Sequence, residues 1–289
     1  MQNRIDNLVK WIRTKVPEGG KAVLGISGGK DSTIAAALCV RALGKENVVG
    51  VMMPNGYQRD IRDSRKVCDL LDIFAIEVNI QEAYEGIVDN IASALNRNAS
   101  DRPKNGFLKV RSNGMIRTNL PARLRMSTLY AVAALYPNSR VVNTCNLSED
   151  YVGYSTKYGD AAGDFSPLGG LTVREVLEIG DALGLPHDLV HKTPSDGMCG
   201  KTDEDNLGFT YEQLDDYILH TRHVDMDTIE KIERLHRTTR HKYTAIPTFC
   251  DQDDDEEANS QKEREKIAIL INNGMAAAMG YHCWPIEEE

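Results

Sequence analysis

The sequence has no paired cysteines. Its six, Cys39, Cys68, Cys145, Cys199, Cys250 and Cys283, stand far apart, so neither a C-x-x-C redox motif nor a zinc ribbon is written into it. Scattered single cysteines in an acidic chain point to a reducing compartment and a cytoplasmic protein; Cys39, in an apolar helical run, reads as core. There is no surplus of positive charge either. Lys and Arg number 34 against 43 Asp and Glu, a formal net charge of −9. That excludes broad nucleic-acid binding, which needs a basic face, and leaves room only for a local basic pocket. No apolar run approaches the ~20 residues that span a bilayer, and residues 1–15 form a polar, amphipathic pattern without a signal-peptide core. No membrane partner is expected. There is no internal repeat, and the one biased tract, the acidic run at 251–257, reads as solvated surface rather than a metal site.

What is present is an alternating pattern. Residues 22–26, 48–52 and 74–78 are short apolar runs that read as buried strands. Helical patterns lie between and after them at 33–43, 60–71 and 83–96. This rhythm predicts an α/β fold: a doubly wound, mostly parallel sheet with helices on both faces. At 289 residues the chain can bury a sizeable core without staples, and a single domain over 1–289 is expected. Residues 97–114, broken by Pro103, Asn105, Gly106 and Gly114, read as an exposed mobile loop. A helix is expected over 119–136 and a fourth strand over 140–143. Residues 144–170 show no period, and so long an irregular stretch in a compact domain reads as functional. Thr172-x-x-Glu175 and Thr210-x-x-Gln213 are capping boxes opening two later helices. The tail from Met226 reads as helical and basic as far as His241-Lys242.

The first chemical motif is Ser27-Gly28-Gly29-Lys30-Asp31-Ser32, directly after Gly25-Ile26 and before the first long helical run. A glycine turn between a strand and a helix N-terminus is an anion site, because the backbone approaches closely and its amides and the helix dipole face negative charge. A Walker A loop would place Ser or Thr directly after the Lys. Here Asp31 follows Lys30, although Gly25 does stand five positions before it. A carboxylate beside a phosphate site makes sense when it holds a cation. The pattern resembles the S-G-G-x-D-S loop of the ATP pyrophosphatases, which cleave ATP between the α and β phosphates and grip the departing pyrophosphate.

A second constellation follows the fourth strand: Asn143-Thr144-Cys145-Asn146-Leu147-Ser148-Glu149, then Lys157-Tyr158-Gly159-Asp160, then Asp164. Ligands of open parallel sheets bind beyond the carboxyl ends of the strands, so this segment is expected to face the phosphate loop. Asp31 and Glu149 could then share one Mg²⁺, a hard cation that takes one or two carboxylates together with phosphate oxygens.

These segments together, with Asn119-Leu120-Pro121-Ala122-Arg123-Leu124-Arg125-Met126, Pro194-Ser195, Thr202-Asp203-Glu204 and His241-Lys242, resemble the ammonia-dependent NAD synthetases over about residues 5 to 245. The resemblance implies an adenine nucleotide alpha-hydrolase-like, Rossmann-like fold and a ligase that adenylates the nicotinate carboxylate of deamido-NAD with ATP. Pyrophosphate leaves, and ammonia then displaces AMP. It implies that Gly25, Ile26, Ser27, Gly28, Gly29, Lys30, Asp31, Ser32, Thr144 and Ser195 bind ATP. Asp31 and Glu149 would hold Mg²⁺ as the catalytic pair, and Arg125, Lys157, Asp164, His241 and Lys242 would bind deamido-NAD. A homodimer is implied, its apolar helical faces including Leu120, Leu124, Leu129 and Val132, which could equally be core. The glutaminase domain of glutamine-dependent relatives is not expected here, so free ammonia is the expected donor.

Each residue also has a bland competitor. Arg125 could be a surface ion pair, Glu149 a solvated loop carboxylate, Ser195 a turn residue, and His241-Lys242 an ordinary basic helix end. Lys157 and Asp164 could simply pair with each other. Three positions depart from the family pattern: Asn143 for a usual Gly, Tyr243 for a common Arg, and Val173 for a phosphate-binding Lys, whose place Arg174, Lys192 or Lys201 could take. Two alternative readings stand beside the synthetase. A tRNA-modifying relative with the same loop should show a basic surface and often cysteine pairs for sulfur chemistry. A nucleotide-binding sensor without turnover would not need both Asp31 and Glu149. Residues 97–114 and 198–206 are the segments expected to order on ligand binding.

Overall fold

The computed structural model describes residues 1–58, 60–97, 106–192 and 202–248. Four strands, β1 (Ala22–Gly25), β2 (Val48–Met52), β3 (Phe74–Glu77) and β4 (Arg140–Val141), form one sheet in the order β3-β2-β1-β4, with every pairing parallel. Both faces are covered, as a parallel sheet requires. Strand side chains alternate between the two sides. Ala22, Leu24, Val48 and Met52 enter one core, whereas Val23, Val49, Val51 and Val141 enter the other.

The first face is covered by α1 (Gln2–Lys15), α2 (Lys30–Leu43) and α3 (Ile61–Leu71). Ile5, Leu8 and Ile12 of α1 fall at helical spacing and pack on Ile34 and Leu38 of α2. The second face is covered by α6 (Gly114–Ala133), and beside it lie α4 (Gln81–Arg97) and α5 (Gly106–Arg111). A third group, α7 (Leu147–Val152), α8 (Val173–Ala182), α9 (His187–Val190), α10 (Asp203–Leu207), α11 (Tyr211–Leu219) and α12 (Met226–Thr239), stands after β4. Val152, Leu214 and Ile232 form a core within it, and Val176 and Ile179 of α8 join the core over α2.

The structure departs from the sequence expectations at several points. Residues 97–114 are not one exposed loop: α4 runs to Arg97, and α5 packs on it through Val110, buried against Val88 and Ala92. Residues 98–105 lie outside the description. The helix expected from residue 119 starts at Gly114, because the Asn113 side chain caps it by accepting from Ile116 N. The fourth strand is two residues long. Val142 continues it only as a parallel bridge to Phe165, and Asn143 N donates to Phe165 O. The stretch after it is not without helix, because α7 occupies 147–152. Both capping boxes expected at Thr172 and Thr210 are formed. Val132 of α6 is buried under the sheet, Leu124 and Leu129 pack beside it partly buried, and Leu120 packs toward α4, so all four have contacts within the chain.

Candidate active site

Strand β1 has β2 on one side and β4 on the other, so the chain's winding reverses there, and the crevice beyond the carboxyl ends of these strands is where an open sheet takes ligand. The phosphate loop leaves β1 at that crevice, and the segment from Asn143 leaves β4 beside it. The loop is pinned by its own hydroxyls. Ser32 Oγ donates to Gly29 O at 3.1 Å and Thr33 Oγ1 to the same oxygen at 2.7 Å, and Gly29 N donates to Ser27 Oγ at 3.2 Å. Ile26 is anchored to the sheet through Val51 O. Gly28 has φ +79°, and a Cβ there would lie 2.7 Å from Ser64 N at the start of α3. Only glycine fits both the turn and the close approach.

Lys30 opens α2 and is buried, with 7% of its surface exposed. Its Nζ lies 2.7 Å from Asp31 Oδ2. Burial pulls the ammonium's pKa down, but Asp31, Glu149 and Asp203 together outweigh it and hold the pKa above the ordinary lysine value. Lys30 therefore stays charged.

Asp31 and Glu149 are brought together through one residue. Asn146 Nδ2 donates to Asp31 Oδ1 at 3.1 Å. Asn146 is also the N-cap of α7: its Oδ1 accepts from Glu149 N at 3.0 Å, and its own N–H donates back to Glu149 Oε2 at 3.3 Å. The carboxyl of Glu149 is pushed up to about 8, first by burial and then by the charge of Asp31, with Lys30 offsetting only part. Two carboxylates held against each other in this way suit a divalent cation, whose charge would relieve both. No group of three or more His, Cys, Asp or Glu converges among the described residues, so any cation here would rest on this pair and on ligand oxygens.

The five residues expected to bind the second substrate fall into two groups. Lys157 Nζ donates to His241 O at 2.6 Å, and Lys242 Nζ donates to Gly153 O and Ser155 O, both at 2.7 Å. His241 Nδ1 lies 3.1 Å from Thr238 O. These three therefore join the loop after α7 to the turn after α12. Arg125 and Asp164 belong to the sheet instead. Arg125 Nε donates to Met53 O at 3.1 Å beyond β2, and burial lowers its pKa against the pull of Asp160. Asp164 Oδ2 accepts from Val141 N at 2.7 Å, and its Oδ1 accepts from Tyr130 Oη at 3.2 Å. Lys157 and Asp164 thus have different partners.

Thr144 lies in the crevice segment after β4, and Ser195 lies outside the described residues. The unusual Asn143 has a structural account. Its Nδ2 donates to Asp160 O at 2.8 Å and its Oδ1 accepts from Cys145 N and Ser166 Oγ, so it binds the 160–166 loop to the strand end. Tyr243 is hydrogen-bonded to Ser155. Where the family pattern has a Lys, Val173 is buried, but Arg174 and Lys192 both line a pocket of about 430 Å³ next to Lys30. Arg174 is held by Asp216 and Lys192 by Asp63. Lys201 lies outside the described residues.

Two contributors escaped the sequence reading. Asn146 could have been found, since Asn146-x-x-Glu149 is itself a capping-box spacing. Tyr211, which lines the same pocket under Lys30, gives no sequence signal beyond an apolar residue at a helix start.

The family model described as NAD synthase matches residues 4–246. The NH(3)-dependent NAD(+) synthetase of Alkaliphilus metalliredigens is 38% identical over 251 residues, covering 84% of this chain and 96% of that protein. Among solved structures, an NMN synthetase from Francisella tularensis aligns with a TM-score of 0.72 at 33% identity, over 86% of this chain and 98% of that one. The NH3-dependent NAD synthetase from Campylobacter jejuni aligns with a TM-score of 0.63 at 28% identity, over the same shares of the two chains.

Proposed function

The chain belongs to the NAD synthase family, and on that footing we propose that it is a ligase that forms a C–N bond, amidating deamido-NAD to NAD with ATP and ammonia. A carboxylate is a poor acyl donor to ammonia. In the proposed reaction its oxygen attacks the α-phosphorus of ATP, pyrophosphate leaves, and ammonia then attacks the activated carbonyl as AMP departs. Most of the acceleration would come from holding two polyanions together and offsetting their charge.

The observation that carries the reading is the Asp31–Asn146–Glu149 linkage beside a glycine loop with a charged, buried Lys30. The loop amides from Ser27 to Ser32, with Lys30, Gly25 and Ile26 behind them, would seat the triphosphate, and Thr144 and Ser195 would complete the ATP contacts. Asp31 and Glu149 would hold Mg²⁺, which when bound supplies charge neutralisation on the phosphates. Lys157, His241 and Lys242 on one side and Arg125 and Asp164 on the other would hold deamido-NAD. Arg174 or Lys192, on the pocket wall, would take the phosphate role vacated at Val173.

Free ammonia as donor is supported by the NH(3)-dependent relatives that the chain covers nearly end to end. A homodimer is supported by an apolar stripe on α4: Ile87, Ile91 and Leu95 recur at helical spacing and are 37, 41 and 47% exposed. A reducing, cytoplasmic setting is supported by the buried free thiols of Cys39, Cys68 and Cys145. No helix among the described residues is long and apolar enough to cross a membrane.

The test is NAD formation from deamido-NAD, ATP and Mg²⁺ with ammonium or glutamine, for the wild type and Asp31→Ala. Ammonium-supported NAD with one AMP per turnover, lost in the variant, is the expected result. Pyrophosphate release with another acceptor and no NAD would keep the ATP chemistry and overturn the substrate. The likeness to an NMN synthetase favours one second reading, amidation of the corresponding mononucleotide, and a parallel reaction with that acceptor separates the two by kcat/KM.

A further inference from the structure

Tyr211 is the first residue of α11, set just inside its Thr210 cap. It is 5% exposed, and its buried hydroxyl has no hydrogen-bond partner among the described residues. Buried hydroxyls are almost always partnered, so an orphan next to a ligand crevice asks what completes it. Three observations locate the answer. The side chain lines the pocket of about 430 Å³ that Lys30 of the phosphate loop also lines. The Lys30 ammonium lies over the Tyr211 ring, 5.8 Å from its centroid. Burial, then Glu149, Asp203 and Asp31, raise the phenol above its ordinary pKa, so it remains a protonated donor in a field that includes the two carboxylates that would hold the cation.

We infer that Tyr211 is a further binding residue of the site, its hydroxyl donating to a phosphate oxygen of ATP at the pyrophosphate end. This rests on the ATP-cleaving reading above. The acceptor must be an anion that Lys30 also attracts, because no described protein group accepts this hydrogen bond and the surrounding carboxylates favour a donor there. The pyrophosphate end fits because Lys30, whose ammonium overlies the ring, belongs to the loop that would grip the departing group. The ring itself keeps the pocket wall dry, packed in the core with Val152 and Leu214. The unpartnered hydroxyl of the free protein is then a group poised for ligand rather than for folding.

The experiment compares Tyr211→Phe with the wild type, using inorganic pyrophosphate with Mg²⁺ and, separately, AMP as probes in calorimetric titrations. Unliganded thermal midpoints are recorded alongside. The substitution removes only the hydroxyl. The expected result is an unliganded midpoint that is unchanged or higher, a pyrophosphate affinity about tenfold weaker, the scale of a hydrogen bond to a charged acceptor, and an unchanged AMP affinity. Equal pyrophosphate affinity in both proteins overturns the inference alone. So does an equal loss for AMP and pyrophosphate with a lowered midpoint, which marks a purely structural tyrosine. A wild type that binds neither pyrophosphate nor AMP overturns the ATP-cleaving reading with it.

Discussion

Asn146 Nδ2 donates to Asp31 Oδ1 at 3.1 Å across 115 residues of sequence. The same side chain caps α7 through Glu149 N, so one amide sets the register of both carboxylates. Asn146→Ala removes the cap and the tether at once. Loss of an N-cap costs about 1 kcal/mol, which a modest drop in thermal midpoint would report. Loss of a group that orients ligands costs about 10–100-fold in metal affinity or activity, so the Mg²⁺ dependence of NAD formation should shift by that factor. Unchanged Mg²⁺ dependence would show that Asn146 serves the helix only.

Gly28 and Gly29 look interchangeable in sequence but are not in the fold. At Gly28, φ is +79° and a Cβ would meet Ser64 N at 2.7 Å and Asp63 Cβ at 2.8 Å. At Gly29 the backbone is extended, with φ −83°, and the nearest neighbour is Ser27 Oγ at 3.3 Å. Gly28→Ala is therefore expected to cost about 1–3 kcal/mol of stability and to abolish ATP binding by pushing the loop off α3. Gly29→Ala should leave the midpoint nearly unchanged. Equal effects at the two positions, measured by thermal unfolding and ATP titration, would contradict this geometry.

The acidic crevice should make the ligand-free protein weaken as pH rises. Burial and then Asp31 push Glu149 up to about 8, and burial pushes Asp150 up to about 7, from ordinary values of 4.5 and 3.8. A carboxyl with a raised folded-state pKa favours the fold in its protonated form. Its contribution is complete below the unfolded pKa and is lost as pH climbs through the folded one. The unliganded thermal midpoint should thus fall between roughly pH 5 and pH 8, less steeply in Glu149→Gln. Mg²⁺ with ATP should shrink the fall in the wild type, since a cation relieves the repulsion. A midpoint that rises over this range would contradict the assigned burial of these two acids.

Much of this was legible from sequence, and the exceptions have physical reasons. The loop from Ser27 to Ser32 could be read because strand, glycines, hydroxyls and helix start lie in one continuous segment. Glu149 could be read as a carboxylate near a strand end, but its partner Asn146 was hidden by taking 144–170 as irregular, although the capping-box spacing was there. Helix α5 was missed because Pro103 and the two glycines near it dominate residues 97–114, while its stability comes from packing Val110 on α4, a tertiary effect. Asp164 reads as a substrate ligand from the resemblance, and the structure shows its carboxylate accepting from the Val141 backbone, which no spacing announces. Tyr211 reaches Lys30 only through the approach of α11 to the loop, across 181 positions of sequence (211 less 30).

The exposed stripe on α4 gives the last prediction. Ile87, Ile91 and Leu95 lie at i, i+4 and i+8 with 37, 41 and 47% of their surface exposed, while Val88 and Ala92 of the same helix are buried against α5. The helix therefore has two apolar faces, of which the described chain covers one. Such a face seeks a partner, and a two-fold axis would pair it with its own copy, since isologous contacts close with a single patch. Ile91→Glu places like charges opposite each other across that axis, and it disturbs no intramolecular contact of the buried face. Light scattering over a range of concentrations should show a wild-type dimer and a monomeric variant with a thermal midpoint close to that of the wild type when dilute. If the deamido-NAD site is completed across the interface, KM for deamido-NAD should rise about tenfold or more in the monomer, with ATP binding retained. A wild type that stays monomeric at every concentration would remove both parts of this prediction, whereas a monomeric variant with unchanged KM would keep the dimer and place the whole dinucleotide site within one chain.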